Sequence, residues 1–365
     1  MSSWANRSQV RRRDFSQVPE ELRPALPVPR AERPEVIQSE TYQVALSDGD
    51  SSFYFPHTGD RNPVYYPSGI TAHPAPSALR ALGASISAEL SALVGALPSA
   101  CSGVQPPHPE AKELKVAGKS YVFVLLRHIR QPSDNELWIS SYNSIRRYYT
   151  NKIVIIDDNS QLNTVNGKLY ETDIMTSDYA GAGETLPYYY FLMHRWADRM
   201  IFLHDTMFLY RPFRAEEVDT EARFHWSFRA DKAPVEERLR SFLPSLRNHK
   251  DLVGLLARSD DWRACFGVAM VVGLPVVEAL EEKYKLFSTM VMMIRNRKDR
   301  EMAERLVGLV FFHEGYVTLD TCDTFGDILK YPKAFEGSWS NLATARYQLE
   351  QAGYDSALMK VWRGR

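Results

Sequence analysis

The chain has 365 residues, of which 44% are hydrophobic and 12% aromatic, and its formal net charge is −1. This length and composition are sufficient for one large or two modest domains with a substantial packed core. The near-zero charge gives no indication of a nucleic-acid backbone or an anionic membrane as a partner. Cys101, Cys265 and Cys322 are too widely spaced for a zinc site or a disulfide scaffold, which fits a reducing compartment.

The N-terminal segment, residues 1–78, is rich in proline and turn-forming residues. Such a segment cannot easily bury enough apolar surface to fold alone, so we expect a partly extended, Pro-rich arm. Its aromatic clusters at residues 53–55 and 64–66 could fasten the arm to the globular body or to a second copy in a homo-oligomer; a partly disordered leader is the alternative. No apolar run follows the basic residues 11–13, so we expect no secretory signal and a cytoplasmic location.

Residues 79–114 are expected to contain an amphipathic helix and a linker. Large apolar residues recur at helical spacing in residues 79–97, but Arg80, Glu89 and several serines interrupt them. This pattern is typical of a helix packed on a protein surface rather than a membrane span. We therefore do not expect an integral membrane protein.

Residues 115–340 are predicted to form the main domain, and residues 341–365 a C-terminal helix or tail. The predicted strands are residues 121–126, 153–156, 200–203 and 264–272, and the predicted helices are residues 132–149, residues 300–313 and two that begin near Leu186 and Pro275. A helix separates the first two strands, so these should be parallel with a right-handed crossover. The alternation of strands and helices predicts an α/β fold with a mainly parallel central sheet flanked by helices.

Polar side chains stand at the ends of two of these strands. Asp157 and Asp158 follow the second strand, and His204, Asp205 and Thr206 follow the third. The carboxyl ends of strands in open α/β sheets face the ligand crevice, where acids can meet a ribose hydroxyl, a base edge or a divalent cation. This predicts a nucleotide-handling site. The alternative is that these residues belong to solvated loops and cap turns.

The arrangement of these segments resembles the GT-A-fold glycosyltransferases, over about residues 118–335. The resemblance implies a Rossmann-like GT-A fold and an enzyme of hexosyltransferase type. Such an enzyme moves a sugar from a nucleotide-diphosphate sugar to an acceptor hydroxyl, here an unknown one, with Mn²⁺ or Mg²⁺. It implies that Asp157 or Asp158 binds the base or ribose. The family's Asp-x-Asp metal motif is replaced here by His204, Asp205 and Thr206, with the carboxylate in the middle position.

The resemblance also implies an acid near the start of a late helix as general base, and Asp299, Glu301 and Glu304 are the candidates, together with Asp261 on the acceptor side. An alternative is that acids there simply stabilise the helix start. Trp262 could offer a flat face to an acceptor sugar, and Gly267 could allow its close approach.

Further candidates stand at both ends of the domain. Arg127 and His128 follow the first strand, where they would lie beside the nucleotide, and a guanidinium suits diphosphate oxygens. His313 is a candidate late metal ligand. Two alternatives to a transferase remain open: a catalytically inactive GT-A-like structural or binding protein, and a nucleotidyltransferase.

Overall fold

A seven-stranded sheet lies at the centre of the part of the chain that the computed structural model describes, residues 103–161, 167–230, 233–331, 353 and 355–361. Its strands are β1 (Lys115–Val116), β2 (Lys119–Arg127), β3 (Ile153–Asp157), β4 (Thr172–Thr176), β5 (Arg199–His204), β7 (Ala222–Phe224) and β10 (Met270–Gly273). Two further pairs lie outside it: β6 (Met207–Leu209) with β11 (Leu358–Lys360), and β8 (Ser227–Phe228) with β9 (Ala264–Cys265).

Helices cover this sheet and the two small strand pairs. In chain order they are α1 (Pro132–Arg146), α2 (Leu186–His194), α3 (Ala215–Val218), α4 (Ala233–Phe242), α5 (Lys250–Leu256), α6 (Leu274–Tyr284), α7 (Leu286–Met293) and α8 (Arg297–His313). The α8 helix packs against α4, α5 and β9, and α2 packs against α6 and α7. In the described ranges, no helix has both the length and the apolar character that a membrane crossing requires.

The strand order in the large sheet is β4-β3-β2-β5-β10-β7, with β1 paired to β2 outside that path. The four strands β4, β3, β2 and β5 are parallel to one another, whereas β10 is antiparallel to both β5 and β7. The predicted α/β class with a mostly parallel central sheet flanked by helices is therefore confirmed. The parallel pairing of β2 with β3 across α1 is also confirmed.

Three of the parallel strands, β2, β3 and β5, contain continuous apolar runs that are buried, whereas the edge strand β4 is polar and partly exposed. Residues 123–125, 153–156 and 200–203 are fully buried. Runs of this kind are expected where helices lie on both faces of a parallel sheet. The sheet thus provides a rigid base, and the polar residues at the carboxyl ends of its parallel strands lie along one edge.

The predicted strand over residues 264–272 is wrong in its middle. The chain forms β9, then a 3-10 turn at Phe266–Val268, and then β10, which belongs to a different sheet from β9. Gly267 has a φ of 59° in this turn, a left-handed conformation that glycine adopts without the Cβ penalty of other residues. A Cβ at Gly267 would stand 2.6 Å from Cε1 of His204, so the glycine also makes room for that ring.

The chain beyond residue 340 contributes a strand where a C-terminal helix or tail is predicted. Within residues 341–365 the structure describes residues 353 and 355–361, and β11 pairs antiparallel with β6. Arg211 and Arg214 both form ion pairs with Asp355, just before this strand. The predicted N-terminal arm and the amphipathic helix at residues 79–97 lie outside the described residues.

Candidate active site

Asp157 forms a buried ion pair at the ends of two neighbouring strands. The Nε atom of Arg127 lies 2.6 Å from Asp157 Oδ2, and the guanidinium carbon lies 4.8 Å from the centre of the Trp138 ring. The other Asp157 oxygen accepts a hydrogen bond of 2.9 Å from the backbone N–H of Ser160. Arg127 is 0% exposed, so the diphosphate contact predicted for it is not open to its guanidinium in this conformation.

Asp158 orders the loop that precedes α2. Its carboxylate accepts hydrogen bonds from the backbone N–H groups of Gly181, at 2.7 Å, and Gly183, at 3.1 Å. The carbonyl of Asp158 contacts Nδ1 of His128. Asp158, at the carboxyl end of β3, therefore lies beside His128, which follows β2, but the Asp158 carboxylate already accepts hydrogen bonds from the protein backbone.

His204 and Thr206 surround a lysine from the C-terminal strand. The Lys360 ammonium donates to Thr206 Oγ1 at 2.5 Å and lies 3.3 Å from His204 Nδ1. On the other side of the ring, Nε2 lies 2.7 Å from the Gly267 carbonyl. An ammonium can only donate, so Nδ1 is the acceptor and Nε2 carries the proton of a neutral imidazole.

Gly267 connects His204 to Glu304. While the Gly267 carbonyl accepts from His204, its backbone N–H donates to Glu304 Oε1 at 2.7 Å. The side chain of Glu304 is 18% exposed, whereas that of Glu301 is 43% exposed and forms an ion pair with Arg297. The third candidate, Asp299, forms an ion pair with Arg238, so of the acids predicted as general base only Glu304 belongs to the network at the sheet edge.

Arg300 and Glu184 complete this arrangement. Arg300 Nε lies 3.1 Å from Glu184 Oε2, and Arg300 Nη1 lies 3.4 Å from the Gly181 carbonyl. A Cβ at Gly183 would stand 2.4 Å from Arg300 Cδ, so this glycine makes room for the arginine. We use the name strand-end cluster for the connected ionisable side chains at this edge: Asp158, Glu184, His204, Arg300, Glu304 and Lys360.

Burial in the strand-end cluster favours the neutral forms of Glu184, His204 and Glu304. Burial raises the pKa of Glu304 to about 8, with a smaller contribution from the negative charge of Glu184, although the hydrogen bond from Gly267 acts in the opposite direction. Burial also raises the pKa of Glu184, against the positive charge of Arg300. Burial and the positive charge of Lys360 hold the pKa of His204 well below its ordinary value. Desolvation is the first cause in all three.

The raised pKa of Glu304 predicts a pH-dependent loss of stability. As the pH rises, the unfolded chain releases this proton near 4.5 and the folded protein releases it only near 8. Between these values the folded state binds more protons, so the free energy of unfolding falls as the pH rises, by an amount on the order of 5 kcal/mol. The Glu304→Gln variant has no ionisable group at this position and therefore does not show this loss of stability. In urea unfolding, its stability relative to wild type should be higher at pH 9 than at pH 5, and an equal difference at both values would contradict the shift.

The residues at the position of the metal motif do not fit a divalent cation. His204 directs its Nδ1 lone pair at an ammonium, and Thr206 Oγ1 accepts from the same ammonium. A divalent and a monovalent cation 4 Å apart would repel by about 8 kcal/mol at an effective dielectric constant of about 20. Among the described residues, no group of three or more His, Cys, Asp or Glu side chains is placed to hold a metal ion. The sequence prediction of Mn²⁺ or Mg²⁺ therefore gains no support from these contacts.

Several predicted site residues lie away from the cluster. Asp261 is 53% exposed and paired with Arg258, and the Trp262 side chain is buried in the core, where it offers no open face to a sugar. His313 is nine residues beyond Glu304 on α8, about 14 Å along the helix axis, and lies 3.6 Å from Glu314. Asp205, the middle residue of the altered motif, is buried, and its backbone N–H donates to the Leu126 carbonyl at 2.9 Å.

Three members of the cluster are absent from the predicted site: Glu184, Arg300 and Lys360. Lys360 is 154 residues from Thr206 in sequence, and nothing local to it indicates the contact. Arg300 belongs to a run of charged residues in the first turns of α8, and such a run predicts ordinary solvent-exposed side chains. Glu184 follows Gly181 and Gly183, and glycines at a helix start predict close approach of the backbone to a ligand. This was the one feature of the sequence that indicated a site near Glu184.

Comparison with known proteins adds no family to this description. The chain matches no model of a known protein family and no curated protein. A fold of this class hosts many unrelated activities, so function has to be argued from the chemistry of the site.

Proposed function

We propose that the protein is a glycosyltransferase of the GT-A type that moves a sugar from a nucleotide-diphosphate sugar to an acceptor hydroxyl. One observation carries the proposal: a partly buried carboxyl with a pKa near 8, Glu304, shares a strand-end cluster with two cations, Arg300 and Lys360. Such a reaction needs a base for the acceptor proton and positive charge for the departing diphosphate. The presence of a carboxyl and two cations at the edge where α/β sheets bind ligands supports the proposal.

The reaction assigns a separate task to each part of the cluster. The acceptor oxygen attacks the anomeric carbon and forms the new glycosidic bond while the bond from that carbon to the diphosphate oxygen breaks. Glu304 takes the proton of the acceptor hydroxyl, and the diphosphate leaves with the electron pair of the broken bond. A base is most effective when its pKa is near the working pH, which the burial of Glu304 provides.

The nucleotide side of the proposed site lies at the carboxyl end of β3. His128 and Asp158 contact each other there, and Asp158 fixes the backbone of the loop at Gly181 and Gly183. Asp157 contributes only indirectly, because its carboxylate forms an ion pair with Arg127. A carboxylate has about four acceptor sites, so Asp158 retains capacity for a ribose hydroxyl beyond these two bonds.

Isothermal titration calorimetry with UDP and GDP, each with and without Mn²⁺, tests this proposal on the full chain. We expect one of the two nucleotides to bind at submillimolar concentration, and the matching sugar nucleotides then to be consumed when acceptor hydroxyls are screened. If neither nucleotide binds at millimolar concentration under either condition, the proposal is wrong. The alternative of a catalytically inactive structural or binding protein would then be preferred. The contacts that Asp157 and Asp158 make within the protein also favour this alternative.

A further inference from the structure

We propose that His204 is a positioning residue: its Nε2–H fixes the backbone of Gly267, and Gly267 in turn holds the Glu304 carboxylate in place for proton transfer. The inference rests on the proposed glycosyltransferase function and adds a residue to it. It also gives the first position of the altered motif a task in the reaction that involves no metal ligation.

The backbone of Gly267 has to be held by contacts from outside the residue. Its φ of 59° lies in the left-handed region, and a glycine adopts several backbone conformations at similar cost. The Tyr188 hydroxyl donates to the carbonyl of the next residue, Val268. The carbonyl of Gly267 itself accepts from His204 Nε2, at 2.7 Å. The orientation of this carbonyl therefore depends on the imidazole.

The imidazole of His204 is itself well fixed. A Cβ at Gly267 would stand 2.6 Å from Cε1 and 2.7 Å from Nε2, so the ring lies directly against the glycine. The ring centre is 5.3 Å from that of Phe202, and Nδ1 lies 3.3 Å from the Lys360 ammonium. Contacts at both ring nitrogens and with the ring itself thus direct Nε2–H at the Gly267 carbonyl.

Glu304 is oriented through one of its two carboxylate oxygens. Oε1 accepts the 2.7 Å hydrogen bond from the Gly267 N–H. Oε2 has no hydrogen-bond donor among the described residues, and Arg305 Nη1 lies 3.9 Å from it. The side chain is 18% exposed. Oε2 is therefore the oxygen that can accept the proton of an acceptor hydroxyl, and its direction depends on the bond at Oε1.

Loss of the His204 N–H should affect Glu304 in two ways. A displaced base is slower, since a misplacement of about 1 Å can cost on the order of 100-fold in rate. The pKa of Glu304 should also change. Burial raises it to about 8, and the hydrogen bond from Gly267 acts against burial because it favours the charged carboxylate. A weaker bond should therefore raise the pKa further. Three charged side chains also act on this pKa: Glu184, Glu301 and Arg305.

The test compares the full-length variants His204→Leu, His204→Gln and His225→Leu with wild type. Leucine removes the N–H that faces Gly267, whereas glutamine places an amide N–H at the same number of bonds from Cβ as Nε2. His225 is the matched control, because it is also buried and its Nε2 lies 3.0 Å from a carbonyl outside the turn, that of Phe202. The pKa of Glu304 is read from the carboxyl carbon resonance of isotope-labelled protein that is missing in Glu304→Gln.

We expect His204→Leu to raise the pKa of Glu304 by about one unit, as for a weakened hydrogen bond to a charged group. It should lower kcat by about 10- to 100-fold and leave the KM for the donor within about threefold of wild type. His204→Gln should recover most of both effects. His225→Leu should change neither, although both leucine variants should be less stable than wild type.

The outcomes separate the positioning role from the function on which it rests. An unchanged Glu304 pKa in His204→Leu, or equal changes in His204→Leu and His225→Leu, would contradict the positioning role alone. Wild-type protein that binds neither UDP nor GDP would refute the transferase, and with it any role in proton transfer.

Wild-type protein provides a second test if His204→Leu does not fold. The amide resonance of Gly267 should move with the titration of Glu304 and stay constant in Glu304→Gln, because its N–H donates to that carboxylate. The imidazole of His204 should carry its proton on Nε2 over the same pH range. A Gly267 amide that does not follow Glu304, or a His204 ring without a proton on Nε2, would overturn the inference.

Discussion

Glu304→Gln is expected to lower the turnover number of sugar transfer by about 10²- to 10⁴-fold, the usual contribution of a positioned general base. The amide keeps an oxygen that can accept the 2.7 Å hydrogen bond from Gly267, so the 3-10 turn and the donor site should persist. Donor affinity should therefore stay within about threefold of wild type, because the lost interaction belongs to the transition state. Steady-state kinetics with the donor identified by calorimetry measures both quantities.

Glu301→Gln is the matched control, since it makes the same change three residues earlier on α8. Glu301 pairs with Arg297 on an exposed face, and its variant should keep turnover within about twofold of wild type. The pH dependence provides a second criterion. Because the pKa of Glu304 is about 8, its basic form is scarce at pH 6, and wild-type kcat/KM should rise about tenfold per pH unit until it levels off above pH 8. Equal losses in both variants, or a flat profile, would remove Glu304 from the mechanism.

The strands at the sheet centre could be predicted because their burial is visible locally. Residues 153–156 and 200–203 are unbroken apolar runs, and both form strands within one residue of the predicted bounds at each end. The break after β9 could not be predicted in the same way. It depends on the His204 ring packing against Gly267, a contact between residues 63 positions apart.

The candidate site was predictable in its location but not in its membership. Acids at the ends of β3 and β5 indicate the sheet edge at which the strand-end cluster lies, yet Lys360 joins this cluster through a strand pairing from the far end of the chain. The Arg127–Asp157 ion pair was easier to predict from the sequence. Parallel pairing of β2 with β3 puts these two strand-end residues opposite each other, and opposite charges in that position are expected to interact. What a single sequence lacks is the register that makes them partners.

Arg127→Met is expected to reduce the free energy of unfolding by about 3–5 kcal/mol, the largest loss that we predict for a single substitution. The variant removes the cation from a pair whose side chains are 0% and 5% exposed, and it leaves the Asp157 carboxylate buried without its compensating charge. The arginine also stacks on Trp138, so some packing is lost with the charge. Urea unfolding gives the free energy, provided that the slope with denaturant stays constant.

Lys152→Met is the control, because it breaks an ion pair of nearly the same length at the other end of the same sheet region. Lys152 lies 2.7 Å from Asp173, but these side chains are 40% and 55% exposed, so the loss should stay below about 1 kcal/mol. The double variant Arg127→Met/Asp157→Leu removes both buried charges and should regain most of the stability, except for the bond from Ser160 to Asp157. If Arg127→Met costs no more than Lys152→Met, the guanidinium is not required by the fold.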